Sequence, residues 1–174
     1  MPAVPALDQA PTWPMTTTDL ADGERFLVGS LRRWALGLTD NNGEHWRFVW
    51  HDFQNRMGAR DGKAALASFA GMVAALQVHA RRPLRHHHPC CPCVGADELR
   101  IVVLVAACQR RDMELAERLA AWMIEAHGTR QVLETGDSLA MLMCRHAIEV
   151  PLRVREHGHA IGVERAPALA GAAH

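Results

Sequence analysis

The chain contains no tyrosine, and aromatic residues fill only 5% of its 174 positions. A core of stacked rings is excluded, so Leu, Val, Ala and Met must fill the interior. Net charge is absent as well, because 19 Lys and Arg balance 19 Asp and Glu. That balance, with no Gly-rich phosphate loop and no aromatic residues interleaved among the basic ones, argues against nucleic acid as a partner. The longest apolar run, Ile101–Cys108, is far short of the roughly 20 residues needed to cross a bilayer. The opening residues Met1-Pro2-Ala3-Val4-Pro5 lack both the basic and the continuous apolar regions of a secretory signal. A cytoplasmic protein with no membrane partner is therefore expected, with its thiols reduced. There is no alternating strand pattern and no internal repeat. The metalloprotease, nucleophile-elbow, P-loop and dinucleotide-binding motifs are all missing, so a binding role is read ahead of an enzymatic one.

Apolar content of 49% in a chain of this length is enough to bury one core. The pattern predicts an all-α fold: a compact bundle of five or six helices. Residues 1–17, with Pro2, Pro5, Pro11 and Pro14, read as a flexible lead-in, 18–155 as a single helical domain, and 156–174 as a mobile tail. A first helix is expected from about 20–24 to 38, stopped by Thr39-Asp40-Asn41-Asn42-Gly43. The second, about 44–57, carries Trp46, Val49, Trp50, Phe53 and Met57 at helical spacing and ends at Gly58. The third, about 61–80, lines up Leu66, Phe69, Val73 and Leu76, with Ala64, Ala67, Ala70 and Ala74 for close packing. The fourth, about 96–109, is apolar all round from Ile101 to Cys108, as a helix buried in a bundle must be. Asp112 is the expected N-cap of a fifth, with Leu115, Leu119, Trp122 and Met123 inward. Gly128-Thr129 reads as a stop and restart, and a sixth helix extends to about 147 with Leu133, Ala140, Met143, Cys144 and Ala147 on its apolar side. Residues 149–154 are expected to be extended around Pro151.

Between the third and fourth helices lies His86-His87-His88-Pro89-Cys90-Cys91-Pro92-Cys93, six metal-binding or redox-competent residues in eight positions. Cys90 and Cys93 form a C-x-x-C pair, the spacing that lets two thiolates reach one tetrahedral ion at about 2.3 Å. His86, His87 or His88 would be the third ligand, and Cys91 or a distal Cys or His the fourth. Pro89 and Pro92 lower the entropy lost on ordering the loop. No second C-x-x-C completes a structural zinc site. Cys108 and Cys144 are the other thiols, and core packing is the expectation for both. The leading function is a small metal-binding protein of regulatory or accessory type acting with a protein partner, zinc favoured on ligand softness, with an iron–sulfur cluster or copper as alternatives. A different class is a thiol–disulfide oxidoreductase using Cys90 and Cys93 ahead of a helix N-terminus. A third is a helical adaptor in which the loop is purely structural.

Several other residues bear on these readings. No acid lies between Asp61 and Asp97, while Lys63, Arg81, Arg82 and Arg85 do, a pattern that suits a solvated basic loop or an anion cradle. Asp97 and Glu98 read as first-turn acids complementing the helix dipole. His79 reads as a partly buried, satisfied histidine. Trp46 and Trp50 read as core.

Overall fold

Helix α1 (Asp22–Asp40) carries Phe26, Leu27, Val28 and Leu31 on its buried side. Helix α2 (Gly43–His79) begins at Asn42, whose side chain accepts from Glu44 N, and is broken at Gly58, where φ is 74° and ψ 172°. The computed structural model to which these elements belong describes residues 15–40 and 42–153. The break in α2 is a corner rather than a bend. A Cβ on Gly62 would stand 2.7 Å from the Phe53 carbonyl oxygen, and the Phe53 and Phe69 rings are 5.5 Å apart. In a straight helix those two residues would be separated by about 24 Å. The two expected helices on either side of Gly58 are thus two limbs of one element folded against each other.

Helix α3 (Ala96–Gln109) is the central rod, with every residue from Ile101 to Cys108 buried. Arg110 and Arg111, the latter at φ 61°, turn the chain into α4 (Met113–Met123), whose N-cap Asp112 accepts from Leu115 N. Helix α5 (Ala126–Arg145) packs mainly along α2, and next along α3. The few rings are pooled where α1 meets α2: Phe26 lies 4.7 Å from Phe53, and Trp34 5.9 Å from Phe69. Leu, Val, Ala and Met supply most of the remaining core. The fold is all-α, as the periodicity predicts. No described helix is long and apolar enough to cross a membrane.

Some expectations need correction. Helix α5 starts at Ala126, not after Gly128. The chain breaks earlier because Ile124 is extended and pairs with Ala80 as an isolated β-bridge, with Glu125 N donating to His79 O at 2.8 Å and Arg81 N to Met123 O at 3.1 Å. Gly128 lies inside the helix, where a Cβ would come within 2.5 Å of the His79 side chain. Trp46 and Trp50 are half-buried; the deep positions of that limb are Val49, Phe53 and Met57. Trp46 covers Gly37 and donates its indole N–H to Trp34 O at 3.3 Å. Ala64, Ala67 and Ala74 face solvent, and Ala65 and Ala75 take the close-packing positions instead. Cys144 is exposed, because the inward stripe of α5 is Val132, Gly136, Leu139, Ala140 and Met143. Cys108 is buried as expected.

Candidate functional site

The 80–95 connection is held through its backbone. Thr17 N donates to Pro92 O at 2.7 Å and Val94 N to Met15 O at 2.8 Å. Residues 15–17, assigned to the lead-in from sequence, are thus paired with this loop; residues 1–14 and the tail from 154 lie outside the described residues. From beneath, Arg32 of α1 donates to the carbonyls of Cys91 (2.6 Å) and Cys93 (2.5 Å). The guanidinium is itself gripped by Glu98 of α3 at 2.7 and 2.9 Å. Glu98 also accepts from the backbone of His87 at 2.9 Å and of Gly95 at 2.7 Å. Asp97, its neighbour, accepts twice from Arg82 at 2.8 Å, from Arg85 N at 2.9 Å, and from Arg100 at 2.7 Å.

Asp97 and Glu98 therefore do more than complement a dipole: both are buried and they fix the loop to α3. Burial raises the pKa of Glu98, but the Arg32 guanidinium and the Gly95 and His87 amides outweigh it and hold the carboxyl below its ordinary range. Asp97 is lowered in the same way, with Arg82, the Arg85 amide and Arg100 opposing burial. Sequence reasoning missed this clamp. Its one legible trace is the acid three residues after Gly95, the position from which a side chain reaches back to the preceding backbone.

The three histidines have different surroundings. His86 is exposed and lines a cleft described below. The His87 ring places Nδ1 3.2 Å from Glu98 Oε2 and packs so close to Gly95 that a Cβ there would sit 3.2 Å from it. His88 lies with the thiols, its Nδ1 3.0 Å from Cys90 Sγ. Cys90 and Cys93 are exposed and Cys91 half-buried, all three free thiols. The Cys91 thiol nearby pushes the pKa of Cys93 up, with Arg32 pulling the other way. Cys93 is thus influenced by Cys91 rather than by Cys90, the partner that the C-x-x-C spacing suggests, and Cys90 is paired with an imidazole. Among the described residues no three His, Cys, Asp or Glu side chains converge as a closed ligand set.

The distal thiols are at the other end of the bundle. Cys108 is about 18 Å along α3 from Ala96 by helical rise, and burial pushes its pKa up to about 11. Cys144 lies within the electrostatic reach of Glu149 and Arg111, beyond the C-terminus of α3. His79 is half-buried against the edge of His127, ring centroids 4.6 Å apart. Contrary to the expectation of a satisfied histidine, its buried Nδ1 has no hydrogen-bond partner among the described residues. No protein family, no curated protein and no solved structure matches this chain.

Proposed function

We propose that the chain binds a soft or borderline cation, zinc first, on the turn from His88 to Cys93. The observation that carries this reading is the anchoring of that turn by a buried Arg32–Glu98 pair through the Cys91 and Cys93 carbonyls, which leaves three free thiols and the His88 ring as the turn's outer groups. A loop fixed through its backbone loses little entropy when its side chains close on a ligand. The raised pKa of Cys93 beside Cys91 fits the same chemistry, since two adjacent thiols ionise together only when a cation offsets the paired negative charge. Closing of the turn on an ion would bring Cys90, Cys91, Cys93 and His88 together as a Cys3His set, which is among those that structural zinc takes. His87 is taken up by Glu98, and His86 stands on the rim of a cleft. Cys108 and Cys144 stand too far along the bundle to join, which weighs against a four-thiolate iron–sulfur cluster. Exposure of the turn suits an accessory protein that passes its ion to a protein partner.

Elemental analysis of tag-free protein, purified without chelator or added metal, tests the reading. Stoichiometric zinc that disappears from a Cys90→Ser/Cys91→Ser/Cys93→Ser variant supports it. Folded, metal-free protein that takes up neither zinc nor copper(I) on titration refutes it.

The influence of the Cys91 thiol on Cys93, with both free, favours one alternative, thiol–disulfide exchange. There the two thiols give two electrons and two protons to an acceptor disulfide, which leaves as two thiols. A glutathione redox titration monitored by mass would show a reversible loss of two hydrogens confined to residues 91 and 93.

A further inference from the structure

A cleft of about 480 Å³ opens beside the thiol turn, between α1, the end of α2, the start of α3 and the 80–86 segment. Its size falls within the roughly 300–1,000 Å³ of small-molecule sites. The floor is apolar, made by Leu31, Val73, Leu76 and Ile101, all core residues. No carboxylate lines the cleft, and its charged groups are arginines. Arg82 is neutralised by Asp97 at 2.8 Å, and Arg81 by Glu125 at 3.3 Å. Arg85 differs. Its backbone amide is tied to Asp97, which fixes where the side chain leaves the loop, yet its guanidinium makes no hydrogen bond or ion pair among the described residues. His86, next to it on the same rim, is likewise exposed.

We infer that this cleft is a binding site for a free monocarboxylate with an apolar tail, its head on Arg85 and His86 and its tail on the floor. A guanidinium suits a carboxylate because it presents two parallel N–H donors, and His86 adds a ring N–H. The apolar floor excludes a compact, fully hydrated anion such as inorganic phosphate as the best ligand, because those side chains would gain nothing from it. The site uses none of the thiols, so it stands or falls separately from metal binding.

Decanoate is the probe, added below its micelle concentration and followed by titration calorimetry, with 1-decanol as the uncharged match. One decanoate per chain is expected, with 1-decanol weaker by about tenfold or more, the loss of a charge-assisted hydrogen bond. Arg85→Ala/His86→Ala should abolish that difference by weakening decanoate alone, and Ala80→Trp, which fills the cleft from its wall, should weaken both. Arg85 and His86 are exposed, so circular dichroism of the double variant should be unchanged. The Cys90→Ser/Cys91→Ser/Cys93→Ser variant should bind decanoate like the parent. Absence of binding, equal affinity for the two probes, or a double variant that still distinguishes them would overturn the assignment. So would Arg85-dependent sedimentation with phosphatidylglycerol vesicles when no decanoate binds, which would assign the rim to a lipid surface.

Discussion

Glu98 is wholly removed from solvent yet carries its charge, because the Arg32 fork and two backbone amides surround its oxygens. Removing one member of such a pair leaves the other buried and uncompensated. Glu98→Ala should therefore cost about 3–5 kcal/mol, measured by urea unfolding, and should also make the 82–94 segment easier to cleave with protease. A loss below 1 kcal/mol would mean that water reaches Arg32 and that the clamp is weaker than its geometry. Thiol reactivity separates the cysteines by burial. Cys108, whose pKa burial pushes up to about 11, should resist alkylation at pH 8 until the chain unfolds, whereas Cys90, Cys91 and Cys93 react in the native protein; peptide mapping after limited alkylation reads this directly. In the sequence Cys108 and Cys144 look alike, each an apolar residue on an apolar stripe. One step of 100° around α5 is enough to put Cys144 outside, and the stripe alone does not fix which edge faces inward.

At the scale of elements, Gly58 occupies a backbone region that only glycine enters readily, and nothing stands within 4 Å of where its Cβ would be. Gly58→Ala should thus destabilise by about 1–3 kcal/mol through backbone strain alone, with no local repacking, seen as a lower urea midpoint at unchanged m-value. If the variant were as stable as the parent, the corner would be free to straighten. This break was legible, because a glycine ended one apolar stripe and began another. So was α3, whose bounds agree with the sequence reading at both ends, since its apolar run is flanked by Gly95 and Arg110. The α4–α5 junction was not. Gly128 has the chemistry of a stop, but it stays helical as a close-packing residue under His79, and the chain breaks at Ile124 because Ala80 offers it a backbone partner. Propensity yields to such tertiary pairing whenever the backbone groups are buried together.

For the whole molecule, acid stability follows from the carboxylates that lock the loop. Asp97 and Glu98 have folded pKa values below their unfolded ones, so the folded state binds fewer protons than the unfolded state wherever the two differ. Their contribution is present in full above the unfolded carboxylate range and is lost as pH falls through the depressed folded values. The melting temperature should hold down to about pH 5 and fall steeply below about pH 4; a Glu98→Gln variant should start lower and show a shallower fall. If the proposed zinc site is correct, the metal at a hundred times its Kd should add about 2.7 kcal/mol. That corresponds to a rise in melting temperature of about 5–10 °C for a chain of this size, reversed by chelator and absent from the triple Cys→Ser variant. A metal-independent melting curve would count against the proposal.

Apart from the α4–α5 junction, the helices, the position of the turn between α2 and α3 and the groups that the turn carries were legible in the sequence. These are local properties: apolar spacing over three or four residues, a capping side chain and a glycine decide them within one or two turns of chain. Only the tertiary structure decided what the turn is fastened to. Arg32 and Glu98 are 66 residues apart, and neither has a neighbour in sequence that signals the other. Their pairing comes from the packing of α1 against α3, which brings two charges into a space where each is tolerable only because of the other. The same packing separates the three adjacent histidines, giving His86 to a cleft, His87 to a buried carboxylate and His88 to the thiols.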